Sequence, residues 1–402
     1  MRKGWEIKKL GEVCEIVNGS TPLRSNNEFW DNGTFPWFTI DDIREQGRII
    51  RFTRQHVTNS ALQRLRVLPK NSVLICCTAS IGECALTEIP LTTNQQFNGL
   101  IVKKEGVLLA TYLYHFCSTL KEQLSRLSGK TTIDFIPISR LKEIVIAIPP
   151  IIEQQRIVTT FDQAFSAIAK AKANAERNLQ NAKELFESYL KSMFENTGEE
   201  MDETTLFDVC DLITCGVAAT PKYVDENEGI PFLSAQNVRN GEVVLENYKY
   251  ISQRFHQELT KKNKPAKGDI LYSRVGSKFG EAGVVECEFE FSVYVSLTLI
   301  KPKPDILNSY YLKHYLNSPI VKSIAIRSIS SSGVPNLNVK DVRRFPIRLP
   351  SIFKQGKIVS QIEAFSVKTK KLESIYQQKI VDLEELKKSI LQKAFSGQLS
   401  ES

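Results

Sequence analysis

The sequence lacks any run approaching the roughly 18 consecutive apolar residues that a membrane-spanning helix requires. Its first residues, MRKGWEIKKLGEV, are mixed and polar, unlike a secretion signal with a basic start and an apolar run. These absences predict a cytoplasmic protein with no membrane segment. The 402 residues, 42% hydrophobic and 24% charged, are typical of a globular protein with enough core for two or more domains.

Metal-ligand spacings are also missing. Among the eight cysteines, Cys76 and Cys77 are adjacent, and Cys210 and Cys215 are too far apart for a Cys-x-x-Cys pair. No pair of histidines complements them. We therefore expect no metal site, and we expect reduced, mostly buried thiols of the kind found in cytosolic proteins.

Motifs for nucleotide and nucleic-acid chemistry are incomplete. RLSGKTT at 126–132 ends like a phosphate-binding loop, but Leu124 stands where the loop needs its first glycine. The nearest match to the Asn/Asp-Pro-Pro-aromatic loop of a DNA adenine methyltransferase, Asn94-Gln95-Gln96-Phe97, lacks both prolines. No Glu-x-Lys of a nuclease follows Asp305 within useful range. The sequence thus predicts no catalytic residues.

The four histidines have no cysteine or serine neighbours that suggest a catalytic triad. His115 and His314 lie beside aromatic residues, which favours a packing role for both. The net charge of +8 is compatible with a polyanionic partner, although many proteins reach that value. A chain without a catalytic set points to binding.

An internal repeat spans the whole sequence. Residues 149–194 align without a gap on residues 350–395, an offset of 201, so that PPIIEQQRIV falls on PSIFKQGKIV. Upstream, LGEVCEI falls on LFDVCDL, FPWFTIDDI on IPFLSAQNV and YLYHF on YLKHY. The chain therefore consists of two divergent copies of a unit of about 200 residues, which is far too long a period for a solenoid.

Each copy divides at a proline into a mixed part and a long helix. Short β-like runs with Gly, Pro and Asn turns come first, and then a proline stops the last strand. Apolar residues then recur at three- and four-residue steps. In the first helix these are Phe161, Phe165, Ile168, Ala175, Leu179, Ala182, Phe186, Tyr189 and Met193; in the second they are Ile362, Phe365, Thr369, Leu372, Tyr376, Ile380, Leu383, Leu386 and Ile390.

The predicted fold class is α+β: two tandem, pseudo-symmetric α/β domains, each followed by a long helix. The predicted boundaries are 1–150 and 201–350 for the domains, and 151–200 and 351–402 for the helices. A helix of about 38 residues would be roughly 57 Å long. Two helices with one apolar seam each most simply pack together, as an antiparallel coiled coil. Two independent surface helices on separate domains stay open as the alternative.

The motifs resemble those of one family. WEIKKLGEVCEIVNGSTP, FPWFTIDDI, ASIGECAL, TNQQFNGLIV, IAIPPIIEQQRIV and SILQKAFSGQLS occur in this order along the chain. Together they resemble the specificity (S) subunit of type I DNA restriction–modification enzymes. The second copy departs from the pattern at CGVAATPKY, VGSKFG, FSVYV and PSIFKQGKIV.

The resemblance implies a sequence-specific, non-catalytic subunit that binds double-stranded DNA. Each of two target-recognition domains would recognise one half of a split site, and the long helices would hold the domains apart. Two methyltransferase (M) subunits and the restriction (R) subunits would be its partners. Cofactors would belong to those partners, with S-adenosylmethionine, ATP and Mg expected there and none on this chain.

Candidate DNA contacts are polar residues in loops, because Arg, Lys, Asn, Gln, Ser and Thr recognise base edges and phosphates. In the first domain we predict Thr39, Asp41, Arg44, Ser80, Asn94, Gln95 and Lys130; in the second, Ser234, Gln236, Asn237, Arg274, Ser277 and Lys278. A turn or capping role stays open for each of them. A stand-alone DNA-binding regulator and a divergent enzyme stay open as rival functions.

Overall fold

The computed structural model describes residues 4–127, 135–195, 203–218, 221–276, 279–329 and 335–398. Along the first copy the elements are β1 (Glu6–Lys9), α1 (Leu10–Val13), β2 (Cys14–Asn18), β3 (Phe35–Phe38), α2 (Ile40–Gln46), β4 (Ile49–Ile50), β5 (Gln55–Val57), α3 (Asn59–Leu62), β6 (Val73–Cys76), β7 (Cys84–Thr87), β8 (Thr92–Thr93), β9 (Phe97–Val102), α4 (Ala110–Thr119), α5 (Lys121–Leu127), α6 (Ile138–Lys142), β10 (Val145–Ile148) and α7 (Ile151–Glu195).

The second copy follows a similar order. Its elements are β11 (Glu203–Thr205), α8 (Leu206–Val209), β12 (Cys210–Cys215), β13 (Tyr223–Val224), β14 (Gly229–Leu233), β15 (Val238–Arg239), β16 (Glu242–Val243), β17 (Lys249–Ser252), α9 (Gln253–Asn263), β18 (Ile270–Ser273), β19 (Ala282–Val284), β20 (Ser292–Val293), β21 (Leu297–Pro302), α10 (Ser309–Leu316), α11 (Pro319–Arg327), α12 (Val339–Arg343), β22 (Pro346–Arg348) and α13 (Ile352–Phe395). The strands β13, β15 and β16 are additional to those of the first copy. Short 3₁₀ helices lie at Asn27–Phe29, Glu226–Glu228 and Ala235–Asn237.

Sheet topology confirms the repeat. In the first copy the sheets are β2-β9-β6-β7-β4, β5-β3-β8 and β1-β10. In the second, β12-β21-β18-β19 repeats the first four strands of the large sheet and β11-β22 repeats the terminal pair. The sheet β13-β17-β14-β20 repeats the small sheet with one added strand, and β15-β16 form a pair that the first copy lacks among the described residues. The mixed helix and strand content and the two long helices confirm the predicted fold class.

The chain forms two compact units, Met1–Ala175 with Gln378–Ser402, and Glu176–Gln377. We call them unit 1 and unit 2. Each unit therefore contains one globular copy and part of both α7 and α13. The four segment boundaries expected from the sequence describe a different division of the chain and stay a prediction.

A buried glutamine attaches the first turn of α7 to the globular part of unit 1. The Gln154 side chain is 0% exposed. Its Nε2 donates to the carbonyl oxygens of Val107 and Pro149, each at 2.8 Å, and its Oε1 accepts from the N–H of Leu109 at 2.9 Å. One side chain thus satisfies three backbone groups, which would otherwise be costly to bury.

Unit 2 repeats this attachment with Gln355 at the start of α13. Its Nε2 donates to the carbonyl oxygens of Ile306 at 2.8 Å and Pro350 at 2.9 Å, and Asn308 N–H donates to its Oε1 at 2.8 Å. The PSIFKQGKIV segment, although degraded as a motif, keeps this glutamine.

The last turn of each long helix packs on the globular part of the other copy. Phe194, near the end of α7, lies 5.3 Å from the Tyr311 ring and 5.2 Å from the Tyr315 ring of unit 2. Phe395, at the end of α13, lies 5.1 Å from Tyr112 and 5.4 Å from Phe116 in unit 1. Each globular part therefore contacts the start of one helix and the end of the other.

The helices pack antiparallel, as predicted. In unit 1, Phe161 contacts Phe395 at 5.9 Å between ring centroids, and Lys172, further along α7, pairs with Glu384, which is earlier in α13. In unit 2, Tyr189 stacks on Phe365 with ring centroids 4.1 Å apart. As α7 advances along the chain, its partner residues move backwards along α13.

The apolar seam of α7 is buried or half-buried at each predicted position, whereas the seam of α13 is partly wrong. Leu372 and Leu386 are 39% and 48% exposed. Val367 and Ile375 add to the exposed apolar surface, at 70% and 50%. Because α13 has more apolar residues than α7 can cover, the sequence pattern alone did not distinguish the buried seam residues from the apolar residues that stay exposed.

None of the described helices, including the two long ones, has the combination of length and apolar character needed to cross a membrane. The eight cysteines are free in the structure, and six of them are buried, which confirms the expectation of mostly buried cysteines. Among the described residues there is no group of three or more His, Cys, Asp or Glu side chains placed to hold a metal.

His115 and His314 are buried packing residues, as predicted. The His115 ring lies 4.9 Å from the Phe161 ring, and burial with nearby Lys387 lowers its pKa to about 4. Burial, with Lys313 and Lys370 nearby, lowers the pKa of His314 to about 3. Glu363 approaches His314 Nε2 at 3.8 Å, but the neutral imidazole forms no ion pair with it.

We expect the free energy of unfolding to decrease as the pH falls below about 6.5, because the unfolded chain then takes up protons that the two buried imidazoles exclude. Above about pH 6.5 both histidines are neutral in the folded and the unfolded chain, and stability is not reduced. As the pH falls from about 6.5 towards the lower pKa values of the folded chain, stability is progressively lost. Each histidine should cost about 2 kcal/mol at pH 5. Thermal unfolding of the full chain at pH 7.5 and pH 5 measures the loss.

The test variant combines His115→Gln with His314→Gln. The control is His56→Gln, because His56 is only half-buried. The double variant should flatten the pH dependence between pH 7.5 and pH 5, and His56→Gln should leave it unchanged. Equal slopes in the double variant and the unmodified chain would refute the assignment.

Candidate nucleic-acid interface

Two predicted DNA contacts lie together where parallel strands end in unit 1. β3 pairs with β8 in parallel, Trp37 opposite Thr92 and Phe38 opposite Thr93. The Thr93 hydroxyl donates to the carbonyl oxygen of Phe38 at 3.1 Å. Thr39 directly follows β3 and Asn94 directly follows β8. The two residues therefore lie side by side at the ends of these strands.

The segment after β2 crosses close to this point. Ser20 N–H donates to the carbonyl oxygen of Thr93 at 2.8 Å, and Gly19 N–H donates to that of Phe97 at 3.0 Å. A Cβ at Gly19 would lie 2.2 Å from the carbonyl oxygen of Asn94, so that no other residue fits this crossing without a backbone shift. This close contact between the two segments explains the glycine of the NGSTP motif.

A strained turn after β6 completes the cluster. Cys77 N–H donates to the carbonyl oxygen of Gln96 at 2.8 Å. Ala79 has φ of +63°, and Ser80 N–H donates to the carbonyl oxygen of Thr78 at 2.8 Å, which is the rarer and strained form of a γ-turn. We call residues 18–21, 38–39, 77–80, 93–96 and 135–136 edge 1.

Unit 2 contains the same arrangement. Phe232 and Leu233 of β14 pair in parallel with Ser292 and Val293 of β20. A Cβ at Gly216 would lie 2.0 Å from the carbonyl oxygen of Val293, in the same way as at Gly19. We call residues 215–217, 233–236, 274–276, 294–296 and 335–337 edge 2.

The backbone connections of the two edges correspond in detail. In edge 2, Arg274 N–H donates to the carbonyl oxygen of Ser296 at 3.0 Å, and Leu337 N–H donates to that of Arg274 at 2.9 Å. In edge 1, Cys77 stands in the place of Arg274, with Ile136 N–H donating to its carbonyl oxygen at 3.0 Å. The duplicated edges hold most of the predicted contacts that the structure describes.

Thr39, Ser234 and Asn237 belong to turns that begin short helices. Thr39 N–H donates to the Asp42 carboxylate at 2.7 Å, and Ser234 N–H donates to Asn237 Oδ1 at 3.0 Å. Asn237 is 0% exposed, and its Nδ2 donates to the carbonyl oxygens of Val244 and Glu246. Sequence reasoning missed Asp42; the helix-capping spacing of Thr39 and Asp42 was the available signal.

Asp41 and Arg44 pair with each other at 2.8 Å on the exposed face of α2. Arg44, Ser80 and Lys121 all line a groove of about 440 Å³ next to α2 and the strained turn. Gln95 is exposed, whereas Asn94 is buried and holds Gln96 through its Nδ2 and Oδ1. The structure therefore brings Arg44 and Ser80 to one surface.

In unit 2, Gln236 is exposed and its Nε2 donates to the carbonyl oxygen of Asn247 at 2.9 Å. Arg274 is 9% exposed, and its guanidinium donates to the carbonyl oxygens of Leu337 and Val295 and to Asn336 Oδ1. This arginine connects three segments of edge 2. Lys130, Ser277 and Lys278 lie outside the described residues. For all thirteen positions, DNA contact stays a prediction.

The exposed polar side chains of the two edges offer donors and acceptors of the kind that contact bases and phosphates. Sequence reasoning missed one cation beside edge 1, Arg24. It is exposed and lies over the rings of Trp30 and Trp37. The sequence signal that could have identified Arg24 is the presence of two tryptophans within the next thirteen residues of a turn-rich segment.

Curated relatives match most of the chain. The specificity subunit of the type I restriction enzyme MjaIX from Methanocaldococcus jannaschii is 29% identical over 368 residues, which cover 87% of this chain and 83% of the relative. The EcoprrI specificity subunit from Escherichia coli is 23% identical over 381 residues, covering 91% and 88%.

Solved structures share the fold. A chain from a structure on complex assembly and conformational transition of the type I R-M system aligns with a TM-score of 0.80 at 21% identity and 99% coverage of both chains. The HsdS subunit from Thermoanaerobacter tengcongensis aligns with a TM-score of 0.61 at 19% identity, covering 99% of this chain and 98% of that one.

The family described as the type I restriction modification DNA specificity domain matches residues 2–177 and again residues 198–381. Each match contains one of the two edges described above. Since the two matches together span most of the chain, this protein belongs to the type I restriction–modification DNA specificity family.

Proposed function

We propose that this chain is the non-catalytic subunit that selects the DNA target of a type I restriction–modification complex. The observation that carries the proposal is the duplication of one polar edge, at matching positions, in two units that each match the DNA specificity family. A single site would need one such edge. Two divergent copies suit a bipartite target with two different half-sequences.

In and beside each edge, the predicted side chains that remain exposed or half-buried are the best DNA contacts. They are Asp41, Arg44, Ser80 and Gln95 in unit 1 and Ser234 and Gln236 in unit 2. The buried Thr39, Asn94, Asn237 and Arg274 would support the edges from behind, with their backbone facing the duplex. Lys130, Ser277 and Lys278 keep their proposed role on the sequence argument alone.

The long helices are proposed to set the gap between the half-sites and to dock the partners. Apolar side chains of α13 that α7 leaves uncovered, such as Val367 and Ile375, support a partner that covers them. Two methyltransferase subunits would carry S-adenosylmethionine and the methyl transfer. Restriction subunits would carry ATP and Mg, all in the cytoplasm, where the DNA lies.

The test is purification of the full chain alone and together with its methyltransferase partner. The chain alone should neither methylate nor cut DNA, with or without S-adenosylmethionine or ATP, and the mixture should methylate a bipartite sequence. Turnover by the isolated chain would favour a divergent enzyme. Tight site-specific binding with no association to a methyltransferase would favour a stand-alone regulator.

A further inference from the structure

Two tryptophans hold the loop that follows Gly19. Trp37, 2% exposed on β3, donates its indole N–H to the carbonyl oxygen of Ser20 at 3.3 Å. Trp30 donates its indole N–H to the carbonyl oxygen of Leu23 at 3.2 Å. The rings lie edge to face, with centroids 5.0 Å apart. The loop is therefore attached at both ends to a rigid aromatic pair.

Arg24 lies on this aromatic pair. Its guanidinium carbon is 3.8 Å from the ring centroid of Trp30 and 4.5 Å from that of Trp37. Both distances are well inside the range of an effective cation–π contact, which extends to about 6 Å. The side chain is exposed, so that the two rings restrict its orientation while its N–H groups still face solvent.

Several arginines of the unit differ from Arg24 in having a carboxylate partner. Arg44 pairs with Asp41, Arg48 with Glu83, Arg51 with Glu88 and Arg54 with Glu45. Among the residues that the structure describes, Arg24 forms no ion pair and donates no hydrogen bond. The N–H groups of Arg24 are therefore available to a ligand that carries acceptor atoms.

The loop brings Arg24 to edge 1. Ser20 N–H donates to the carbonyl oxygen of Thr93, and the Thr21 hydroxyl donates to Gln95 Oε1. Gln95 is itself a predicted DNA contact, two residues after β8. Arg24 therefore belongs to the same surface as the proposed DNA contacts, although the sequence analysis did not include it.

We propose that Arg24 is a specificity-determining residue that recognises a guanine in the half-site of unit 1. A guanidinium presents two parallel donors, which match the O6 and N7 acceptors of guanine in the major groove. Arginine also binds phosphate through two parallel donors, but a phosphate contact carries no sequence information. The contacts with Trp30 and Trp37 restrict the guanidinium to a defined position beside edge 1, where its paired donors suit the two-acceptor edge of a guanine.

This inference rests on the proposed function, and the experiment distinguishes a failure of the inference from a failure of the proposed function. The full-length chain is expressed with its methyltransferase partner in a host free of DNA methylation, and the methylated sequence is determined genome-wide. Arg24→Gln should relax one G·C position in one half-site, lowering discrimination there by about 5- to 150-fold. The other positions of that half and the second half should be unchanged.

Two further variants test orientation against charge. Arg24→Lys keeps the charge and should relax the same position. Trp30→Leu keeps an apolar side chain and should relax that position less, since Trp30 only positions the arginine. Arg51→Gln is the matched control, because that arginine is exposed and paired with Glu88, and it should leave the methylated sequence intact.

An unaltered sequence preference in Arg24→Gln, with a bipartite motif in the unmodified chain, would overturn the inference and leave the proposed function standing. Uniform weakening at all positions, with a salt slope of binding reduced by about one, would identify a phosphate contact and overturn it as well. The absence of any bipartite motif in the unmodified chain would overturn both.

Discussion

Insertion of one heptad after Ala175 and another after Tyr376 is expected to lengthen the gap between the two recognised half-sequences without changing either half. Seven residues extend a helix by about 10 Å and preserve the apolar seam. At about 3.4 Å per base pair, the gap should grow by roughly three base pairs, less whatever the twist of DNA resists. Half-sites on one face of DNA lie about one helical turn apart, so we expect a starting gap of several base pairs.

The structure supports these two insertion points. Unit 1 ends within α7 at Ala175, and unit 2 ends within α13 at Gln377, one residue beyond the second insertion, so the insertions leave nearly all contacts inside each unit in place. Genome-wide methylation measures the gap. A heptad in α7 alone is the control, and it should abolish modification because the seams no longer match in length. Normal modification at the original spacing by the double insertion would show that the helices do not set the gap.

Gln154→Leu should destabilise unit 1 by about 3 kcal/mol or more, because leucine leaves the Leu109 N–H and two carbonyl groups buried without partners. Gln355→Leu should do the same in unit 2. Gln155→Leu, at an exposed neighbouring position, should change stability by no more than about 0.5 kcal/mol.

Hydrogen exchange of the full chain locates the effect. Gln154→Leu should increase exchange in α4 and β10 and leave α10 and β22 protected, and Gln355→Leu should give the mirror image. Uniform loss of protection in either variant, or stability equal to that of Gln155→Leu, would contradict the role assigned to these glutamines.

The repeat and the long helices could be predicted because their signals are periodic. The alignment of PPIIEQQRIV with PSIFKQGKIV depends on apolar and proline positions, and the seam of α7 depends on three- and four-residue steps. Such patterns report burial directly. The α13 seam failed at Leu372 and Leu386 because the pattern shows that a residue is apolar and cannot show which surface covers it.

The roles of single polar residues could not be predicted, since they depend on partners distant in sequence. Gln154 bonds to the backbone of residues 107 and 109, and Arg274 to that of residues 295 and 337. Thr39 and Ser234 carry hydroxyls that suit a DNA contact or a helix start equally well. Only the folded chain distinguishes these roles.

The central claim is that each unit recognises its own half of a bipartite DNA site. Replacement of residues 1–150 by the equivalent segment of a relative, followed by genome-wide methylation analysis with the partner methyltransferase present, tests it most directly. We predict that one half of the methylated sequence changes, while the other half and the gap stay as they were. A change in both halves together, or in neither, would contradict the claim.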